Sequence, residues 1–363
     1  MKLLIITFLI SIASVSNGQW KSNVYIYNGD YRENVSTAIA KDNNNNKYVT
    51  GYVQTQSGKF TAVTIRYENF FPFSTWISRH NSSFNFYPAS IAANTQNGTV
   101  YVTGSTDSGN GGKNIFLLSY NAANGELIWV RTYSGNGNGN DEPKKVIFSN
   151  GSIYVAGYSC ERDSLSKEFL LLKYDLNGNL IYKKNYSYVR NSNDEVMDMI
   201  VNNAGEIYLT GGSIDSSGKF DYATLKYNVN GNLVWAKRYA SLSNGNDKAV
   251  AIYQNNNVSE IVVTGFADTS VDYTTIKYDS SGNQLWKKVY NGTGNSLDYP
   301  VSVRIDNPGN VLVSGSSIGA GLNYDYLTIK YNSNGNEEWV NRYNGTADNL
   351  DSVAGMEIDN FGC

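Results

Sequence analysis

The chain has 363 residues, 41% of them hydrophobic and only 17% charged, with 34 Gly, 29 Tyr and 5 Pro. So few charges beside so many Gly, Asn, Ser and Tyr exclude a helical protein, which would be richer in Ala, Glu, Leu and Lys. The 29 basic and 32 acidic residues give a net charge of -3, which argues against a nucleic-acid binder, and one His with two Cys is too few for a Cys/His zinc cluster.

In chain order, a leader comes first. Lys2 gives a short basic start, residues 3–13 are apolar, and Ser16 and Gly18 put small side chains beside a cleavage point. The apolar run is too short for a bilayer, which needs ~20 residues. Residues 1–18 therefore read as a secretory signal peptide, with the exported chain starting at Gln19. No later segment is apolar enough to cross a membrane.

From Gln19 onward the sequence repeats itself. Gly51, Gly104, Gly157, Gly211, Gly265 and Gly315 follow Tyr-Val-Thr-Gly-like strands at spacings of 50 to 54 residues. Six basic-Tyr or Ser-Tyr pairs, from Arg66-Tyr67 to Lys330-Tyr331, advance with them. So do Trp20, Trp76, Trp129, Tyr182, Trp235, Trp286 and Trp339. One unit of about 53 residues is thus repeated about six and a half times. Within a unit the hydrophobic period is two, which predicts strands. Residues 298–345 show four of them, a to d, with Asn/Asp/Gly turns at 306–310 and 332–336. The expected fold is all-β, a β-propeller of four-stranded antiparallel blades forming one domain over 19–363.

Segments such as Tyr101-Val102-Thr103-Gly104 and residues 226–235, from Lys226 to Trp235, resemble SBBP-type bacterial β-propeller repeats. That resemblance covers essentially the whole exported chain. It implies a secreted or surface-attached propeller and carries no shared catalytic residues. Counting copies gives a lone d-type strand at Trp20, six complete sets, and a seventh strand a over 351–359. The preferred expectation is a seven-bladed protein continuing beyond Cys363. The alternative is a closed six-blade ring with two extra terminal strands. Cys160 and Cys363 occupy different phases of the repeat and are expected to be unpaired thiols.

Few residues offer chemistry. His80 sits where other copies have Tyr133, Tyr186, Tyr239, Tyr290 and Tyr343, so it reads as an aromatic slot on strand d rather than a general base. Trp76, Trp129, Trp235, Trp286 and Trp339 read as packing positions, as do 18 of the 29 Tyr. The segment around Trp129 is similar to the tryptophan-docking repeats of quinoprotein dehydrogenases, but the adjacent cysteine pair typical of many such enzymes is absent. Residues 279–286 resemble the sialidase Asp-box with one residue too many before Trp286. The run from Asp42 to Asn46 lacks the later Glu and the helices of an EF-hand, and reads as a turn.

The acidic pattern is more pointed. Asp141, Asp194, Asp247, Asp298 and Asp351 each open strand a, while Glu168, Asp221, Asp272 and Asp325 open strand c at the same end of the unit. If strand a lines a central channel, the five Asp form an acidic ring able to hold Ca²⁺. The competing reading is that each fixes its own loop by accepting backbone N–H bonds. The function expected is a non-catalytic binding or scaffold module, secreted, periplasmic or on the cell surface. Its partner would be an extracellular protein or glycan. A carboxylate-dependent glycoside-processing enzyme and a purely structural part of a larger surface protein are the alternatives.

Overall fold

A computed structural model of the chain describes residues 8–16, 19–27 and 33–358, apart from 69–73, 95, 108, 110, 162–164, 243–244, 256–258, 268–269, 295, 320–322 and 346–349. The described residues contain strands and turns but no helix. β1 (Phe8–Ser16) and β2 (Gln19–Tyr27) pair as an antiparallel ribbon, so Trp20 lies in a strand as expected.

Six four-stranded antiparallel sheets follow, one per predicted unit. The first is β3 (Asn34–Lys41), β4 (Lys47–Gln54), β5 (Phe60–Tyr67) and β6 (Ser74–His80). The second is β7 (Phe86–Asn94), β8 (Thr99–Asp107), β9 (Lys113–Asn121) and β10 (Leu127–Tyr133). The third is β11 (Glu142–Ser149), β12 (Ser152–Ser159), β13 (Glu168–Tyr174) and β14 (Leu180–Tyr186). The fourth is β15 (Asp194–Val201), β16 (Ile207–Ile214), β17 (Phe220–Tyr227) and β18 (Leu233–Tyr239). The fifth is β19 (Lys248–Gln254), β20 (Ile261–Ala267), β21 (Asp272–Tyr278) and β22 (Gln284–Tyr290). The sixth is β23 (Asp298–Ile305), β24 (Val311–Ile318), β25 (Tyr324–Tyr331) and β26 (Glu337–Tyr343). Each sheet runs in simple chain order, an arrangement consistent with a β-propeller.

One expected strand is absent. Residues 351–358 carry no strand, and 359–363 lie outside the described residues. Strand a in every sheet pairs with its own strand b, and no such partner follows Asp351 among the described residues. The segment still enters as a strand a does: the Asp351 N–H donates to the Tyr324 carbonyl at 2.8 Å, as Asp298 does to Val271 at 2.9 Å.

The repeated glycine has a geometric cause. In all six sheets the first strand is bulged opposite it, for example between Val196 and Asp198 in β15, where Val196 pairs with Gly211. A Cβ on Gly211 would stand 1.9 Å from the Glu195 carbonyl oxygen, and the other five strand glycines meet the same carbonyl at 1.9 to 2.2 Å. Only Gly lets the bulged carbonyl come so close.

The chain forms two compact units, residues 1–165 with 171–183, and residues 166–170 with 184–363. In each, the Trp of one sheet docks on the β-turn of the next. In the first unit the Trp76 and Trp129 indole N–H groups donate to Ala122 and Leu176 carbonyls at 3.0 and 3.1 Å. In the second, Trp235 and Trp286 donate to Ser280 and Ser333 at 3.2 and 3.1 Å. The turn glycines make room: Gly335 has φ 82° and a Cβ there would meet the Trp286 ring at 2.8 Å. The Tyr residues that open strand b, Tyr48, Tyr101, Tyr154 and Tyr208, are completely buried. A charge chain also runs through the second unit, where Glu195 binds Lys167 at 2.8 Å and Lys248 at 2.7 Å. Burial pushes the Glu195 carboxyl up, but the two lysines outweigh it and bring it down to about 2.

The last strand of each sheet pairs on one side only and is its polar face. Apolar pairs at its start are exposed, as at Leu127 and Ile128 or Leu233 and Val234, and Lys or Arg follows, as at Arg131, Lys237 and Arg238.

Candidate functional site

Each acidic residue that opens strand a is enclosed by its own loop. Asp141 is 1% exposed; its Oδ2 accepts the Gly135 N–H at 2.6 Å, and its Oδ1 accepts Ser159 Oγ–H at 2.8 Å and the Cys160 N–H at 2.9 Å. Asp298 and Asp351 accept the N–H six residues earlier, from Gly292 at 2.7 Å and Gly345 at 2.8 Å, and Asp247 accepts that of Ser241. Asp194 accepts the Ile214 N–H at 3.1 Å. Burial pushes the Asp141, Asp194 and Asp298 carboxyls up, against the hydrogen bonds that lower them.

The acids that open strand c lie in the same cross-strand row, Asp194–Ser213–Asp221 in the fourth sheet and Asp298–Ser317–Asp325 in the sixth. Arginine closes both rows: Arg238 reaches Asp221 at 2.7 Å and Arg342 reaches Asp325 at 3.0 Å. Glu168 and Asp272 are buried in the corresponding places. No group of three or more His, Cys, Asp or Glu among the described residues is arranged to hold a metal ion. The hydrogen bonds found at the five Asp are those of loop fixation. Asp141 accepts three such bonds through both oxygens and has few lone pairs left for a cation, whereas Asp194 Oδ2 and Asp298 Oδ1 are buried without a hydrogen-bond partner. Asp298→Ala is expected to lower stability by about 1–3 kcal/mol, since it strands the buried Gly292 N–H. The loss should be equal in millimolar Ca²⁺ and in chelator. A thermal midpoint that rises with Ca²⁺ in the parent and not in the variant would restore the metal reading.

His80 takes the aromatic slot expected of it. Its ring lies edge-on to Phe86 at 4.5 Å, as Tyr239 does to Tyr222 at 5.5 Å, and burial pushes its pKa down. Phe86 itself replaces the strand-a Asp in the second sheet. Cys160 is a buried thiol without a disulfide, its Sγ 3.3 Å from the Asn140 carbonyl; Cys363 lies outside the described residues. Beside it Glu161 accepts from Tyr133 O–H and from Lys183 Nζ at 3.0 Å, and competes with Asp141 for the single Ser159 hydroxyl proton, its oxygen 3.0 Å from Ser159 Oγ.

Among the described residues one open feature is a cleft of about 190 Å³ in the first unit. One wall is the Asp42–Asn46 turn with Tyr48 and Arg66; Asn94, Gly98 and Thr99 form another, and Ala122 and Ala123 complete it. In the first wall the Asp42 carboxylate is fully engaged. Asp42 Oδ1 accepts the Asn44 and Asn46 N–H groups at 2.9 Å each, and Oδ2 accepts Asn46 Nδ2 at 2.8 Å and Tyr48 O–H at 3.0 Å. Burial pushes the Asp42 carboxyl up, but these bonds outweigh it and keep the group below the usual carboxylate range. The same burial, with the Asp42 charge, pushes Tyr48 up to about 12.

The second wall departs from the repeat. The turn after β7 is one residue longer than the turn after β3, and Thr99 stands where Asn46 does. Thr99 Oγ donates elsewhere, leaving Asn94 Nδ2 without a partner although Asn94 is 2% exposed. Arg66 Nε is likewise buried and unpaired, with the rest of the guanidinium 3.5 Å from the Ala123 carbonyl and 3.7 Å from Glu68. Sequence reasoning passed over both residues because it looked for catalytic types. The available signal was the substitution itself, an Arg where four of the other copies have Lys.

No protein family and no curated protein matches the chain. Solved structures do. Sqt1 from Chaetomium thermophilum is 9% identical, covers 90% of this chain and 75% of its own, and superposes with a TM-score of 0.56. Hydrazine synthase from Kuenenia stuttgartiensis is 11% identical over 82% of this chain and 76% of that one, at 0.53. The quinohemoprotein alcohol dehydrogenase of Comamonas testosteroni is 9% identical over 84% and 59%, also at 0.53. At such identities the likeness is one of fold, and it is to β-propeller-like proteins.

Proposed function

We propose that this chain is an exported β-propeller of SBBP-type repeats that serves as a non-catalytic binding or scaffold module for an extracellular protein or glycan. One observation carries the reading: the carboxylates opening strand a and His80 are engaged at repeat positions that fix loops and strands, whereas the open cleft falls where the repeat is broken. Fold-forming positions recur at fixed phase, and binding positions are the exceptions to it. The leader at residues 1–18 supports export.

A glycan array read together with product analysis tests this. Selective retention of one glycan class with no change in its structure is the expected result. Cleavage of a retained glycan would overturn the non-catalytic reading in favour of paired-carboxylate chemistry. Retention of no glycan would leave a protein partner, sought by crosslinking on the intact cell surface; its absence too would reduce the chain to a structural element.

A further inference from the structure

We propose that the cleft beside Arg66 and Asn94 binds a carboxylate-bearing ligand about the size of one sugar ring. The inference deepens the binding-module reading and rests on it. Both unpaired buried atoms in the cleft are donors, Arg66 Nε–H and Asn94 Nδ2–H. The orientation of the Asn94 amide is fixed, because its Oδ1 accepts the Gln96 N–H at 2.9 Å, so Nδ2 must be the free end. A buried donor without an acceptor is costly, and a bound acceptor removes that cost.

The acceptors already in the cleft are spoken for. Four donors occupy the Asp42 carboxylate, so it offers a ligand no free lone pair in the plane of those bonds. What remains is a demand for oxygen acceptors beside a guanidinium whose ion pair with Glu68 is loose, at 3.7 Å. Arginine and an amide N–H together suit a carboxylate, which accepts from both through two oxygens. The cleft of about 190 Å³ opens to solvent and has room for a single sugar ring.

Sodium D-glucuronate and D-glucose, matched in ring and differing in the carboxylate, are the probes. Glucuronate is expected to bind with a millimolar Kd in titrations followed by amide NMR, with shifts centred on Asn94, Thr99 and Ala123. D-glucose should produce none. Asn94→Asp keeps an oxygen for Gln96 while placing an anion in the cleft, and Arg66→Gln removes the cation on the opposite wall. Each should weaken glucuronate binding by about tenfold or more while the thermal midpoint shows a folded protein. Equal binding of glucose, shifts elsewhere on the protein, full affinity in both variants, or no binding of glucuronate would each overturn the proposal. A glycan array that stays positive for the Asn94→Asp protein would mean that the module binds at another surface, so the cleft can fail while the binding reading stands.

Discussion

Gly211→Ala is expected to lower stability by about 3 kcal/mol, read as a fall in the urea midpoint of the fluorescence transition. The added methyl would sit 1.9 Å from the Glu195 carbonyl oxygen, and the nearest atoms are all backbone, so no side chain can swing away. Relief requires flattening the bulge between Val196 and Asp198. That bulge presents Glu195 to Lys167 and Lys248, so the ion chain should loosen with it. Gly218→Ala is the comparison. Gly218 has φ 82° and open space around it, so the substitution should cost only about 1 kcal/mol of backbone strain. Equal losses at the two positions would show that conformational preference, rather than the close carbonyl, explains the repeated glycine.

Trp286→Ala is expected to cost about 3–5 kcal/mol. Trp286 is 9% exposed, donates to the Ser333 carbonyl at 3.1 Å, covers Gly335, and lies 5.9 Å from the Tyr331 ring. Its loss leaves a cavity at the joint between the fifth and sixth sheets and an unpaired carbonyl beside it. Trp339 holds the same place in the sixth sheet but is 41% exposed. Trp339→Ala should therefore cost less than about 1 kcal/mol. If both variants lost the same stability, the docking of Trp on the neighbouring turn would not be the joint.

Much of this architecture could be read from residues alone, and the reason is periodicity. Tyr48, Tyr101, Tyr154 and Tyr208 recur at one phase because each fills the same buried place, and the strand glycines recur because each faces the same bulge. The carboxylates were visible but ambiguous. An Asp that fixes a loop and an Asp that binds a cation are the same letter, and only the direction of the Gly135 and Gly292 N–H groups separates them. The segment after Asp351 carries a strand-like pattern, yet pattern alone supplies no pairing partner. Arg66 and Asn94 escaped notice for the opposite reason: they are ordinary polar residues whose meaning comes from a partner that is missing.

The outermost strands carry a further consequence for how the protein behaves at high concentration. Each ends its sheet with a row of backbone groups on the open side, and the exposed apolar pairs at Leu127, Leu180 and Leu233 begin such rows. Rows of this kind invite another chain to pair with them. Lys183, Lys184, Lys237, Lys287 and Lys288 stand along the same strands, and a net charge of -3 contributes little repulsion between molecules. Those local cations therefore guard the strand edges against pairing with another chain.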